Sequence, residues 1–148
     1  MSEVLAMRHT GLVVSDMDVC LRFYTEILGL KYAEPVLESG ACLETVLKAP
    51  GVRVRTAKLG TEKGTGVLEL LQFLSPYEDS RKESRSFCQH GLTHVAFTVQ
   101  DVSRLKERIE KAGGSSLSEP VPTTDGKYLL LFCRDPEGNL LELVQFLN

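Results

Sequence analysis

The chain has 148 residues, enough for one ordinary domain or for two fused modules of about 75 residues that share a core. An apolar content of 43% and a charged content of 25% are typical of a water-soluble globular protein. The formal net charge of -3, without a dense Lys/Arg cluster, argues against binding to nucleic acid or to an anionic membrane. Because no apolar run approaches the ~20 residues of a membrane span and no secretory signal is present, we expect a cytoplasmic protein.

The first half of the chain predicts a strand, a helix and three further strands. Residues 7–14 have the composition of a strand, and Asp16 is a suitable N-cap for a helix that Gly29 ends. Three further strands are expected at residues 30–38, 52–59 and 67–74. Between the first two of them lies an insertion, residues 41–50, with apolar residues at helical spacing.

The second half repeats this order after a polar segment, residues 75–91, that has the composition of a linker. Asp101 is the expected N-cap of its helix, which Gly113 ends. The predicted strands are residues 92–99, 115–118, 127–133 and 140–146. We therefore predict an α+β fold of two tandem βαβββ modules, about 5–74 and about 92–148, in a single domain covering residues 1–148.

Each half carries one histidine and one glutamate in matching apolar surroundings. His9 lies in the first strand of the first half, and His94 lies in the first strand of the second half. The segment Leu-Glu-Leu-x-Gln-Phe occurs twice, with Glu69 in the first copy and Glu142 in the second. Two copies of one supersecondary unit predict a site to which both contribute equally, the alternative being chance likeness between short apolar strands.

Burial of the two glutamates suggests what the site binds. Side chains alternate along a strand, so Glu69 and Glu142 share their faces with apolar residues, which we interpret as core faces. A buried carboxylate without a partner costs several kcal/mol, and no Lys or Arg is patterned with either glutamate. Together with His9 and His94 they predict one divalent transition metal, Zn, Ni, Co, Mn or Fe(II). The alternative is two core histidines with two solvent-facing glutamates.

Other reactive residues give weaker signals. The four cysteines are scattered without a Cys-x-x-Cys pair, so we expect reduced thiols, of which Cys20 and Cys133 serve as small apolar residues. Residues that could line a substrate site, with ordinary surface or loop positions as the alternative, are His90, Arg53, Arg55, Lys58, Lys127 and Tyr128.

The motifs resemble those of the vicinal oxygen chelate superfamily over nearly the whole chain. The shared motifs are Asp-Met-Asp after the first strand, Phe-Tyr-x-x-x-Leu-Gly-Leu in the first helix, and Phe-Cys-Arg-Asp-Pro-Glu-Gly-Asn-Leu-Leu-Glu-Leu near the end. That superfamily includes glyoxalase I, methylmalonyl-CoA epimerase, extradiol dioxygenases and bleomycin-binding proteins. The resemblance implies a homodimer and a curved, cup-shaped mixed sheet with helices outside, around one metal held by His9, Glu69, His94 and Glu142.

The resemblance is closest to the epimerase and glyoxalase I branches. Thr93 stands where epimerases commonly carry a second histidine, and Val13 stands where bacterial glyoxalase I carries an arginine that helps to hold glutathione. The implied chemistry is proton transfer on a small carbonyl compound or acyl thioester through an enediolate, with Glu142 removing the proton and Glu69 returning it.

We therefore expect a divalent-metal-dependent isomerase or lyase with epimerase-like proton transfer, of the methylmalonyl-CoA epimerase type or related to it. Lactoylglutathione lyase is the alternative among enzymes. A metal-free, antibiotic-sequestering binding protein is the alternative from another class.

Overall fold

The computed structural model describes residues 3–64, 67–78 and 86–147. The chain divides into two compact units, Met1–Asp79 and Ser80–Asn148. Within the described residues each unit contains one five-stranded mixed sheet, so the predicted α+β class is confirmed, with two sheets rather than a single one. None of the described helices is both long enough and apolar enough to cross a membrane.

In the sheet of the first unit, one pair of neighbouring strands is parallel and the other described pairs are antiparallel. Its strands run in the order β1-β5-β4-β2, with β3 also pairing with β4, and β1 is parallel to β5. The segment predicted as one strand, residues 30–38, forms two short strands because Pro35 between them has no amide hydrogen to donate. The elements are β1 (Thr10–Val13), α1 (Met17–Arg22) continued by a π-helical segment (Phe23–Ile27), β2 (Lys31–Tyr32), β3 (Val36–Ser39), α2 (Ala41–Leu47), β4 (Arg53–Gly60) and β5 (Val67–Ser75).

The second unit repeats this topology. Its strands run in the order β6-β10-β9-β7, with β8 also pairing with β9, and β6 is parallel to β10. The predicted linker ends within this unit, and its residues 79–85 lie outside the described residues. The elements are β6 (His94–Thr98), α3 (Val102–Lys111), β7 (Ser115–Ser116), β8 (Val121–Pro122), β9 (Tyr128–Arg134) and β10 (Leu140–Phe146).

Both predicted helix caps are confirmed. The Asp16 carboxylate accepts hydrogen bonds of 3.0 Å from the amides of Asp18 and Val19, and the Asp101 carboxylate accepts one of 2.9 Å from the amide of Arg104. Each bond satisfies an amide that the first helical turn leaves without an intrahelical partner. The helices therefore begin where the sequence predicts.

The glutamine of the repeated motif fixes each helix start to the last strand of its unit. The Gln72 amide donates to the carbonyl of Ser15 at 2.7 Å, and the Gln145 side-chain oxygen accepts from the amide of Val102 at 2.8 Å. Because side chains alternate along a strand, the helix of each unit packs on the face opposite the glutamate.

Glu69 is buried as predicted and Glu142 is half-buried, but the most deeply buried face of each strand is the opposite one. Leu70 and Leu143, on the opposite, helix-covered face, are fully buried, whereas Leu71 and Val144, on the glutamate face, are only half-buried. The helices exclude water from one face, which makes that face the core. Further fully buried side chains of the two cores include Met17, Cys20, Tyr24 and Leu59 in the first unit and Val102, Ile109, Leu131 and Cys133 in the second.

Candidate metal centre

In the first unit, the predicted ligands His9 and Glu69 lie in direct contact. His9 Nε2 is 3.1 Å from Glu69 Oε2, and the side chains expose 33% and 11% of their surface. Glu69 is paired in register with Gly11 of β1, two residues beyond His9. A Cβ on Gly11 would approach the Leu71 side chain to 3.0 Å, so the small residue gives that side chain room beside the pair.

In the second unit, His94 and Glu142 form the equivalent contact. His94 Nε2 is also 3.1 Å from Glu142 Oε2, with side-chain exposures of 32% and 21%. The Thr93 hydroxyl lies 2.7 Å from His94 Nδ1, and the Phe132 ring packs edge-on against the imidazole at a centroid distance of 5.1 Å. Both imidazole nitrogens therefore have a polar partner, and the ring orientation is fixed.

Lys58 corrects one expectation drawn from the sequence. We expected no cation beside either glutamate, but Lys58 lies directly opposite Glu69 in the β4–β5 pairing. Its Nζ is 3.7 Å from Glu69 Oε1. The position opposite Glu142 in the second unit is occupied by Phe132 instead. The charge of Glu69 is thus partly compensated by the chain itself, so burial alone does not require a metal there.

The donor atoms of each pair suit a transition metal. Two ligands bound at about 2.1 Å, with an angle between 90° and the tetrahedral value, lie about 3.0 to 3.4 Å apart. The 3.1 Å separation in each unit falls in this range, and an imidazole nitrogen with a carboxylate oxygen is a donor set that Zn, Ni, Co, Mn and Fe(II) accept. Among the described residues, no three His, Cys, Asp or Glu side chains cluster closely enough to hold a metal ion. The structure thus presents the four predicted ligands as two pairs, one in each unit.

The weaker candidates have other contacts. Arg55 bonds to Asp18 and Gln72 on the helix-covered face, each at 3.2 Å. Lys127 lies 3.8 Å from Asp125, and the Tyr128 ring packs at a tilt against the ring of Phe146. These contacts stabilise a helix start and a hairpin. Of the weaker candidates that the sequence suggested, we retain only Lys58 for the site, because it lies beside Glu69.

All four cysteines are free thiols, and Cys20 and Cys133 are buried as expected, while Cys42 and Cys88 are exposed. Burial, with a smaller contribution from the nearby Asp135 carboxylate, raises the pKa of the Cys133 thiol to about 12. Asp135 itself accepts bonds from the amides of Glu137 and Asn139, which closes the β9–β10 turn. Neither residue is part of the candidate site.

The chain belongs to the glyoxalase/bleomycin resistance protein/dioxygenase superfamily, whose sequence model matches residues 6–143. A probable lactoylglutathione lyase of Synechocystis sp. is 29% identical over 138 residues, which cover 93% of this chain and 92% of that protein. The lactoylglutathione lyase GLX1 of Arabidopsis thaliana is 30% identical over 141 residues, and the chain spans only 43% of its length. A glyoxalase family protein from Bacillus cereus superposes with a TM-score of 0.90 at 28% identity, covering 99% of this chain and 97% of that one.

Proposed function

We propose that this protein is a divalent-metal-dependent lyase or isomerase that transfers a proton on a small carbonyl substrate. His9, Glu69, His94 and Glu142 are the proposed ligands of one metal ion. The observation that carries the proposal is the repeated contact of 3.1 Å between a histidine nitrogen and a glutamate oxygen. Because a catalytic transition metal takes at least three protein ligands and each pair offers two, the proposal requires both pairs.

The proposed roles of the two glutamates differ. Glu69 contacts both His9 and Lys58, whereas in the described part of the chain the Glu142 carboxylate contacts His94. Glu142 therefore breaks fewer contacts when it turns toward a substrate, which supports Glu142 as the base that removes the proton and Glu69 as the group that returns it. A bound divalent metal supplies a Lewis acid that polarises the substrate carbonyl.

Two reactions of this kind are the candidates. Lactoylglutathione lyase activity is favoured by the names of the relatives that align with nearly the whole chain. An epimerase-like reaction on an acyl thioester is favoured by Lys58, which places a cation beside Glu69 where a substrate carboxylate could bind. Both reactions remove a proton next to a carbonyl group, so the same side chains serve either.

The test follows the proton directly. The metal-loaded protein is incubated in D2O with the hemithioacetal of methylglyoxal and glutathione, and separately with methylmalonyl-CoA, and deuterium in the carbon-bound position is followed by NMR. We expect incorporation or turnover with one of them, and a loss of at least about 100-fold in Glu142→Gln, since a positioned base contributes typically 10² or more. Glu107→Gln, on the exposed side of α3, is the matched control.

Undiminished proton exchange in Glu142→Gln would exclude that residue as the base. A protein that binds metal but exchanges no proton on either compound would contradict the proposed reaction. A small-molecule-binding protein without catalysis would then become the better account.

A further inference from the structure

In the second unit, a short excursion of the chain interrupts one edge of the sheet. The Leu117 amide donates to the carbonyl of Phe132 at 2.9 Å, and Val121 is paired in register with Leu130. Residues 118–120 therefore stand opposite a single residue of β9 and leave the line of the strand. We call residues 118–120 the strap.

One lysine of α3 contacts the strap. Lys106 Nζ lies 3.1 Å from Oε1 of Glu119, in the middle of the strap, and 3.1 Å from Oε1 of Glu110, one turn along the helix. The Lys106 side chain is only 16% exposed, whereas that of Glu119 is 82% exposed. Hydrogen bonds to Glu110 and, less strongly, to Glu119 raise the pKa of Lys106, so its ammonium group stays charged. The strap is thus fastened to the helix by a covered cation.

The strap has little else to hold it in place. The Ser118 hydroxyl donates to the carbonyl of Glu119 at 2.8 Å, a bond that lies within the strap itself. Pro120 has no amide hydrogen to donate. Among the hydrogen bonds and ion pairs of the described residues, the pair with Lys106 is the one that joins the strap to another element.

The strap adjoins the aromatic ring that packs on His94. Phe132 accepts the Leu117 amide with its carbonyl oxygen, and its ring lies edge-on against the His94 imidazole at 5.1 Å. A movement of the strap that breaks the Leu117 bond therefore releases β9 at the residue that contacts His94.

We propose that the strap is a conformational device that opens locally, that Lys106 keeps it closed, and that its opening loosens Phe132 against His94. The strap then exchanges between two arrangements, of which the ion pair favours the closed one. Because Glu119 is largely exposed, dissolved salt weakens the pair, so the open fraction should rise with ionic strength. The device lies within the second unit and does not rest on the proposed metal site.

Hydrogen exchange of the Leu117 amide in the full chain, followed by NMR, measures the opening. We expect Lys106→Met, which keeps a long apolar stem, to speed this exchange about two- to fivefold, as for the loss of one exposed ion pair. Lys106→Arg keeps the cation and should keep the wild-type rate. Lys111→Met makes the same charge change on the exposed end of α3 and should also leave the rate unchanged.

Two further readouts separate opening of the strap from a general loss of stability. The Val99 amide, which donates to the carbonyl of Val144 at 2.8 Å, should exchange at the wild-type rate in every variant. The NMR signals of the His94 ring protons should shift in Lys106→Met and not in Lys111→Met, because the Phe132 ring lies beside them.

Salt supplies an independent check on the ion pair. Raising the salt concentration from about 0.05 M to about 0.5 M should speed exchange at Leu117 in wild type and have much less effect in Lys106→Met. Equal exchange at Leu117 in all four proteins, or an equal acceleration at Val99, would overturn the inference. Faster exchange at Leu117 with unshifted His94 signals would overturn the link between the strap and Phe132.

Discussion

At the scale of the residue, the Thr93 hydroxyl orients the side chain of the predicted ligand His94. Its hydroxyl bonds to Nδ1 of His94 while Nε2 faces Glu142. A hydrogen-bond partner on the second imidazole nitrogen fixes the orientation of the ring. Thr93 stands where epimerases commonly carry histidine, and the sequence alone did not indicate this contact.

Thr93→Val should therefore weaken metal binding. We expect a loss of about tenfold in affinity, the lower end of what removal of such an orienting partner costs. Competition with a chromophoric chelator measures it, and Thr98→Val, at the exposed end of the same strand, is the control. Equal affinities in the two variants would show that the hydroxyl does not orient His94.

Cys133 gives a prediction on pH. Its pKa is raised from 9.0 to about 12 in the folded protein, so the unfolded chain loses this proton first as the pH rises. The neutral thiol therefore contributes stability below pH 9 that is lost progressively as the pH rises toward 12.

The stability advantage of wild type over Cys133→Ala should shrink above pH 9 by up to about 1.4 kcal/mol per pH unit. Urea unfolding of the two proteins at a series of pH values measures this difference. A constant difference between pH 8 and pH 11 would contradict the raised pKa, since titrations shared by the two proteins cancel.

At the scale of the element, the sequence predicted the order of strands and helices better than their faces. The helix starts at Asp16 and Asp101 follow from local hydrogen bonding, which sequence displays directly. Alternation along β5 and β10 shows that a strand has two faces but not which of them the helix covers. That choice became visible only through Gln72 and Gln145, whose bonds identify the helix side.

The register between paired strands could also not be predicted from the sequence. Lys58 and Glu69 are eleven residues apart, and whether they face each other depends on the register that the intervening turn imposes. One residue more or less in that turn would place the cation on the other face. The sequence therefore predicted the ligands but missed the cation beside them.

Gly114 and Gly11 differ in what an added Cβ atom would meet: backbone and side-chain atoms at Gly114, and one side chain at Gly11. A Cβ on Gly114, between α3 and β7, would lie 2.5 Å from the carbonyl oxygen of Arg134 and 2.6 Å from Ile109 Cγ2. A Cβ on Gly11 would meet only the flexible end of Leu71, at 3.0 Å.

We therefore expect Gly114→Ala to lower the free energy of unfolding by about 1–3 kcal/mol, as for an overpacked core. Gly11→Ala should cost distinctly less, because the Leu71 side chain can move. Chemical denaturation of both variants measures the two changes. A smaller loss for Gly114→Ala than for Gly11→Ala would contradict the packing described for α3.

At the scale of the whole molecule, the duplicated sequence corresponds to two units of the same topology. Each brings its own histidine and glutamate together, at the same distance, on the face that its helix leaves uncovered. The family likeness could be inferred from the sequence motifs, and the four candidate ligands from the repeat. The difference between the two pairs could not, because it depends on Lys58 and Phe132, which lie at equivalent places in strands without a shared motif.

The measurement that tests the central claim most directly is the metal content of the purified protein, wild type beside His9→Ala, with His90→Ala as the control. We predict about one transition metal ion per wild-type site, lost in His9→Ala and kept in His90→Ala. A wild type that stays metal-free after incubation with Zn, Ni, Co and Mn, or a metal content unaffected by His9→Ala, would contradict a metal centre built from the two pairs.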